Sequence, residues 1–359
     1  MSNEFADFLW QFRRPLGRLG GVFASAAGEF SEDRQLVERV VGAYRTAIRT
    51  DVGTTNNIWL EHFAGINAET HRVLASGDID RATEILRNPE ASDLFFGFDG
   101  PTSIDRKNAE QEYTRTMLQW YAYDALTSLA EALGAVNVEN PEATRTTTPI
   151  SADALLDAID GALGVRVAFP NPFQGEMGIQ TTRGIVSHRA AMALYQAWRI
   201  FDLVGKNPDA RIVEIGAGLG RNAYFAHQLG SRNYTIVDLP TTNIAQGYFL
   251  GRTLGADAVR LHGEERAAYA TVMPSEPFFN GAGRYDLVAN IDSMTEFSEG
   301  TAMAYVEQIA ARSSAFLSIN HEANHFRIRD VLARVRPGLK TTRTPSWIRQ
   351  GYVEEVAVF

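Results

Sequence analysis

The chain of 359 residues contains no cysteine. A disulfide framework, a metal held by thiolates and catalysis by a thiol are therefore all excluded. The sequence also lacks an apolar run long enough to cross a bilayer, and its first residues lack the basic-then-apolar order of a secretory signal peptide. These absences predict a cytoplasmic protein with no membrane partner.

Basic residues are in the minority. Lys and Arg total 34 against 43 Asp and Glu, which gives a formal net charge of −9. Broad nucleic-acid binding needs a basic surface, so we expect a small-molecule partner rather than a nucleic acid. The hydrophobic fraction of 45% and the charged fraction of 21% are ordinary for a globular protein.

The first 165 residues form one compositional region, in which we recognise helices and no convincing strand. Apolar residues recur at helical spacing between Leu36 and Ile48, and Asp78 can cap the segment IDRATEILRN. A longer helical pattern with an aromatic stripe follows, and the polar stretch over 134–149 reads as a linker. We predict an α-helical N-terminal region over residues 1–165.

The remaining residues, 166–359, have a different sequence pattern. The Gly- and Pro-rich segment FPNPFQGEMGIQTTRG predicts a loop, and Ser187 can cap the helix after it. From there short β-branched runs alternate with helical segments, which predicts an α/β fold with a Rossmann-like parallel sheet and helices on both faces. The candidate strands are RIVEI, NYTIVDL, AVRLH, YDLVANI, AFLSI and, at the very end, YVEEVAVF.

A glycine-rich turn follows the first of the core strands, in VEIGAGLGRNA. Ligands of open α/β sheets bind beyond the carboxyl ends of the strands, where this turn lies. The dinucleotide fingerprint needs its third glycine at position 221, which is Arg221 here, and the chain has no phosphate-binding P-loop sequence. The spacing is instead E-x-G-x-G-x-G, made by Glu214 and the glycines at 216, 218 and 220.

That spacing resembles motif I of the class I S-adenosylmethionine-dependent methyltransferases. This cofactor has no phosphate, so Gly216, Gly218 and Gly220 would leave room for its methionine part. Glu214 would supply a negative charge near its ammonium group. Asp238 ends the next strand, where a carboxylate can accept hydrogen bonds from both ribose hydroxyls. The remaining predicted cofactor contacts are Leu239 and Asn290. The alternative, a turn that serves only strand-to-helix packing, leaves Asp238 unexplained.

A wider resemblance extends from about Phe169 to the C-terminus. The segments VEIGAGLGR, IVDLP, YDLVANIDSMTEF, FLSIN and SWIRQGYVEEV resemble those of bacterial sugar O-methyltransferases. The resemblance implies a seven-stranded sheet in which YVEEVAVF is the antiparallel strand inserted near the edge. It also implies that the helical N-terminal region covers the site or carries a homodimer contact.

Candidate catalytic residues follow two strands that should end at the same edge as the glycine turn. Asp292 and Glu296 would share one face if a helix begins there, and they could bind a divalent cation, orient a sugar diol or hold a cationic acceptor. His321, after AFLSIN, could be a general base, since imidazole titrates near neutral pH. In the alternative interpretations Asp292 caps a helix, Glu296 is solvated and His321 is a structural residue.

A Mg²⁺ site is a further hypothesis. Some related macrolide-sugar O-methyltransferases use Mg²⁺, with a carboxylate after the fourth strand and an acidic pair after the fifth. Asp292 matches the first position, but His321 and Glu322 occupy the second, so only one carboxylate of the pair is retained. Asp292 and Glu322 are thus the candidate Mg²⁺ ligands, and the departure from the pattern weakens the inference.

The sequence therefore predicts an S-adenosylmethionine-dependent methyltransferase of a small polar acceptor, with a sugar hydroxyl as the leading choice. The alternative enzyme is an N-methyltransferase of a small amine or guanidine compound, with Asp292 and Glu296 as the cation site. A non-catalytic binding protein of the same fold is the third interpretation.

Overall fold

A central sheet of eight strands organises the C-terminal part of the molecule. The computed structural model describes residues 20–29, 31–50, 65, 67–92, 94–95, 112–140 and 149–359. The strands of the central sheet are β4 (Ile212–Ile215), β5 (Tyr234–Val237), β6 (Val259–Leu261), β7 (Ala270–Met273), β8 (Tyr285–Ile291), β9 (Ser313–His321), β10 (Thr341–Pro345) and β11 (Tyr352–Val358).

The strand order is β10-β11-β9-β8-β4-β5-β7-β6. β11 runs antiparallel to both of its neighbours, β9 and β10, whereas the pairs from β9 through β6 are all parallel. The predicted Rossmann-like sheet and the antiparallel insertion of the last strand are thereby confirmed.

The resemblance implied seven strands, and the sheet has eight, six of which were identified from the sequence. The segments ATVM and TTRTP were not recognised as strands, yet they form β7, inside the sheet, and β10, at its edge. β7 has only four residues, too few to establish a period, and β10 is largely exposed and lacks the apolar alternation on which strand prediction depends.

A second, smaller sheet corrects two further expectations. β1 (Phe23–Ala27), β2 (Gln174–Thr181) and β3 (Gly184–Val186) form three antiparallel strands. The N-terminal region therefore contains a strand, and the segment predicted as a loop after Phe169 is largely a hairpin. β1 consists of FASAA and pairs with a strand about 150 residues away, so nothing local in the sequence marks it.

Eleven α-helices lie within the described residues. They are α1 (Arg34–Thr50), α2 (Ala68–Ser76), α3 (Ile79–Arg87), α4 (Glu112–Ala132), α5 (Ala152–Leu163), α6 (His188–Leu203), α7 (Arg221–Gln228), α8 (Pro240–Leu254), α9 (Ser275–Asn280), α10 (Glu299–Arg312) and α11 (Ile328–Val335). The side chains of Asp78 and Ser187 cap α3 and α6 by accepting from backbone N–H groups, as predicted. The aromatic stripe buries Trp120, while the side chain of Tyr113 lies outside the described residues.

Both faces of the central sheet are covered. Ile212 and Ile236 belong to a large apolar cluster that includes α1 and α4 to α8, whereas Val213 and Val237 belong to a cluster with α10 and α11. This alternation along the strands leaves the carboxyl edge of β4, β5 and β8 as the place where polar groups converge. None of the helices in the described residues is both long and apolar enough to cross a membrane.

A buried carboxylate joins the N-terminal helices to α8. The side chain of Asp33, only 1% exposed, accepts hydrogen bonds from Arg87 of α3 and from the Tyr248 hydroxyl of α8. Arg252 lies 3.5 Å from the same carboxylate. Burial by itself raises the pKa of Asp33, but the hydrogen bonds from Arg87 and Tyr248 lower it below its usual value.

We expect Asp33→Ala to lower the free energy of unfolding by about 3 kcal/mol, because two guanidinium groups lose their shared counter-charge. Asp80→Ala is the matched control, since the side chain of Asp80 is 81% exposed, and its one ion pair among the described residues, with Arg34, should contribute little to stability. Urea unfolding measures both. The effect of Asp33→Ala should shrink as the pH falls through the lowered pKa of Asp33; an effect no larger than that of Asp80→Ala would contradict this role.

Candidate active site

A cavity opens at the carboxyl edge of the central sheet. The glycine turn after β4, the ends of β5 and β8 and one face of α6 form its walls. Its lining includes the predicted residues Glu214, Gly216, Gly218, Asp238, Leu239, Asp292 and Glu296. The tertiary structure therefore brings seven of the predicted site residues to one cavity.

The glycine turn uses left-handed backbone conformations. Gly216, Gly218 and Gly220 have φ values of +71°, +55° and +89°, a region that residues with a side chain rarely adopt. A Cβ at Gly216 would also fall 2.1 Å from the Oγ of Ser293. Gly220 is the N-cap of α7 and does not line the cavity, so only the first two glycines border the space.

Glu214 places a carboxylate at the base of the cavity. The residue is 1% exposed, and it accepts hydrogen bonds from the Asn222 amide at 2.5 Å and from the Tyr234 hydroxyl at 2.8 Å. Burial raises its pKa to about 7, although both hydrogen bonds oppose the shift. A cation beside Glu214 would restore the charged form.

Asp238 ties the glycine turn to the end of β5. Its Oδ2 accepts from the backbone N–H of Ala217 at 2.9 Å and from the Gln246 amide at 2.6 Å, and its Oδ1 accepts from the N–H of Leu239. Burial raises the pKa of Asp238 to about 6. The carboxylate thus shapes the turn as well as lining the cavity, and Leu239 lines the cavity beside it.

Asn290 does not line the cavity. Its Nδ2 donates to the carbonyl of Ile215 at 2.9 Å and to the Oγ of Ser293 at 2.7 Å. Its Oδ1 accepts from the N–H of Met294 and from the side chain of Asn320. These bonds use the whole amide, so Asn290 supports the loops around the cavity and the predicted direct cofactor contact is not supported.

Asp292 occupies a special position at the end of β8. Its φ of +54° is in the left-handed region, which Asp tolerates better than most residues. Its carboxylate accepts from Arg349 and from the Tyr352 hydroxyl, both at 2.6 Å. The condition that an α-helix begins here is not met: a short 3₁₀ turn over Met294–Glu296 follows, and the next α-helix, α10, is capped by Ser298. Both Asp292 and Glu296 nevertheless line the cavity.

His321 and Glu322 lie away from this lining. His321 is the last residue of β9, and its ring packs edge-on against Tyr352 while Nδ1 accepts from the N–H of Ala323. Glu322 forms a bidentate pair with Arg343 at 2.9 and 2.8 Å. The general-base role of His321 stays a prediction that this arrangement does not favour.

The hypothesis of a Mg²⁺ site finds no support. Asp292 is bound to Arg349 and Glu322 to Arg343, so each candidate ligand already has a cationic partner. In the parts of the chain that the structure describes, no three acidic or histidine side chains are grouped so as to hold a metal ion. The donor set at the carboxyl edge therefore does not fit a metal.

Several lining residues escaped sequence analysis. Arg189, Gln196, Arg221 and Arg349 all reach the cavity. Arg349 lies in SWIRQGY, a segment that carries part of the family resemblance. Arg189 lies two residues after the helix cap Ser187, where nothing in the local pattern indicates a ligand.

Comparisons with known proteins give limited help. No protein-family model and no curated protein matches the chain. Among solved structures, similarity extends to magnesium protoporphyrin IX methyltransferase from Synechocystis, at 14% identity over 47% of this chain and 84% of the other, with a TM-score of 0.33. A candidate O-methyltransferase from Nostoc punctiforme gives 11% identity over 66% and 68%, with a TM-score of 0.35. At these TM-scores we draw no functional argument from either similarity.

Proposed function

We propose that the protein is an S-adenosylmethionine-dependent methyltransferase that acts on a small polar acceptor. The observation that carries the proposal is the shared cavity: the turn of E-x-G-x-G-x-G and the carboxylate of Asp238 line the same space as Asp292 and Glu296. A methyl donor and an acceptor must lie in line within one enclosed site, and this cavity offers polar groups at both ends.

The residues present fit this cofactor. Glu214 offers a buried carboxylate to its ammonium group, and Asp238 offers carboxylate oxygens to the ribose hydroxyls. The Gly218 backbone lines the space between them and carries no side chain to fill it. When bound, the cofactor supplies a methyl group on a sulfonium centre, and the chain's own residues bind, orient and exclude water.

For the acceptor we propose a sugar hydroxyl. A hydroxyl must lose its proton during methyl transfer, so a basic group has to lie at the cavity. Asp292 is held by Arg349 and Tyr352, whereas Glu296 lines the cavity from a separate turn. Glu296 is therefore better placed than His321 to accept that proton, and Asp292 is better placed to orient the acceptor.

N-methylation of a small amine or guanidine compound is the second candidate. It is favoured by one observation, that both Asp292 and Glu296 line the cavity and together could hold a cationic acceptor. A neutral amine needs no proton removed before it attacks, so the position of His321 would then be irrelevant. A non-catalytic binding protein would keep the cofactor site and lack turnover.

S-adenosylhomocysteine should raise the melting temperature of the purified protein and NAD should not, because a ligand stabilises the state that binds it. Asp238→Ala should remove most of that rise through loss of the ribose contact. Asp209→Ala, at a 73% exposed position, is the control and should keep it. No rise in the unsubstituted protein would refute the proposed function.

Cofactor binding should weaken at acidic pH. Glu214 has a pKa of about 7 in the free protein, so below pH 7 it is mostly neutral and must lose a proton to pair with the ammonium group. We expect the Kd for S-adenosylhomocysteine to rise as the pH falls from 8 to 6, approaching about tenfold per pH unit. Calorimetry in two buffers should detect the released proton.

Glu214→Gln is the matched variant for this pH effect, since it keeps the size of the side chain and the Tyr234 hydroxyl can turn to accept from the new amide. Its Kd should be weaker at pH 8 and nearly flat between pH 8 and 6. A variant that retains the pH slope of the unsubstituted protein would show that another group is responsible.

Glu296→Gln should lower the turnover of a hydroxyl acceptor by about 10²–10⁴-fold, which is the usual contribution of a positioned base. His321→Ala should change turnover little, because the side chain of His321 does not line the cavity. A screen of sugars and sugar nucleotides for a mass gain of one methyl supplies the substrate. The reverse pattern, with His321→Ala inactive and Glu296→Gln active, would restore His321 as the base.

A further inference from the structure

Arg189 differs from the other arginines of the cavity, Arg221 and Arg349, in having no ion-pair partner among the described residues. Arg349 pairs with Asp292 at 2.6 Å and Arg221 pairs with Glu176 at 2.7 Å. Arg189 lines the same cavity and is partly buried, yet no carboxylate among the described residues forms an ion pair with it. Its guanidinium group is therefore available to a ligand.

The position of Arg189 makes this cation costly. It is the second residue of α6, and the positive end of a helix dipole disfavours a cation there. The first turn of α6 contains no acidic residue. Burial and the nearby Arg349 both lower the pKa of Arg189 from its usual value. Asp292 opposes this lowering of the pKa, but its carboxylate forms its ion pair with Arg349.

An anion would remove that cost. A carboxylate or phosphate at the start of α6 would pair with Arg189, lie near Arg349 and complement the helix dipole. The neighbouring His188 adds no charge, because burial holds its pKa below the usual value, and its ring stacks on Tyr121. The arrangement is typical of a site for one small anionic group.

The surroundings of Arg189 assign this anion to the acceptor. The charged and phenolic groups that influence Arg189 are Arg349, Asp292, Tyr121 and Tyr352. They come from the segment after β8, from the start of β11 and the turn before it, and from α4, whereas the proposed cofactor residues Glu214 and Asp238 belong to β4 and to the position after β5. Glu214 and Asp238 are not among the groups that influence Arg189, although all three residues line the same cavity.

We propose that Arg189, with Arg349 beside it, binds an anionic group of the methyl acceptor, either a carboxylate or a phosphate. This rests on the proposed function and narrows its substrate class to acidic acceptors, such as a uronic acid or a phosphorylated sugar. Binding the anion at Arg189 would fix the orientation of the acceptor toward Glu296. Asp292 would hold Arg349 in place through their ion pair.

The first arm of the test separates acceptor from cofactor. The Kd for S-adenosylhomocysteine is measured by calorimetry on the full chain and on Arg189→Gln, Arg189→Lys and Arg232→Gln. Arg232 is the matched control because its side chain is 71% exposed and, among the residues that the structure describes, its one ion pair is with exposed Asp209. We expect comparable Kd values for the unsubstituted protein and all three variants. A tenfold or greater loss in Arg189→Gln alone would assign Arg189 to the cofactor's own carboxylate and overturn the proposal.

The second arm uses anionic probes on protein saturated with S-adenosylhomocysteine. Inorganic phosphate and D-glucuronate at millimolar concentration should raise the melting temperature, while D-glucose and sodium chloride of equal ionic strength should not. A rise with phosphate alone identifies a phosphate site, and a rise with D-glucuronate alone identifies a carboxylate site. Arg189→Gln should weaken the effective probe about 10- to 100-fold, Arg189→Lys should recover part of the loss, and Arg232→Gln should change nothing. Absence of the rise, or an equal rise in Arg189→Gln, would overturn the proposal.

The stability of the ligand-free variants tests whether the role of Arg189 is merely structural. If Arg189 is an unpaired cation kept for a ligand, Arg189→Gln should melt at the same temperature as the unsubstituted protein or higher. A lower melting temperature would show that Arg189 stabilises the fold and would count against the proposal. If the unsubstituted protein fails to bind S-adenosylhomocysteine, the proposed function fails, and the anion arm run without it still tests the site.

Discussion

The geometry of the cavity depends on the buried amide of Asn290. This side chain is 0% exposed and joins the carbonyl of Ile215 at the end of β4 to Ser293 in the loop after β8. Asn320 at the end of β9 donates to Asn290 and accepts from the N–H of Ser293. Three parallel strands are thereby fixed at one edge, because every polar atom of the amide is committed and an unpaired buried amide is costly.

Charge pairing around that edge divides the cavity into two chemical halves. At β4 and β5 the carboxylates of Glu214 and Asp238 are buried among neutral donors, and burial raises the pKa of each. Near the end of β8 the carboxylate of Asp292 meets Arg349 and Tyr352. The first half suits a cationic ligand with hydroxyl groups, and the second combines a fixed ion pair with the unpaired guanidinium of Arg189.

The fold could be predicted from sequence wherever a segment carries its own pattern. β4, β5, β8 and β9 are short β-branched runs followed by helices, and their buried apolar side chains account for the pattern. β1 and β10 carry no such signal, since β1 is built of small residues and β10 is exposed at the sheet edge. Their strand conformation comes from pairing with distant partners, which local sequence does not encode.

For the site, sequence patterns are enough to identify the residues at the ends of the parallel strands, and therefore to place Glu214, Gly216, Asp238 and Asp292 at one edge. It did not determine which of the neighbouring side chains turn toward the cavity. His321 ends β9 at the same edge and Glu322 follows it, yet His321 packs against Tyr352 and Glu322 pairs with Arg343, and neither lines the cavity. Arg189 and Arg349 reach the cavity from segments far apart in sequence. Such convergence depends on tertiary packing, because the side chain that could pair with each charge comes from another element of the fold.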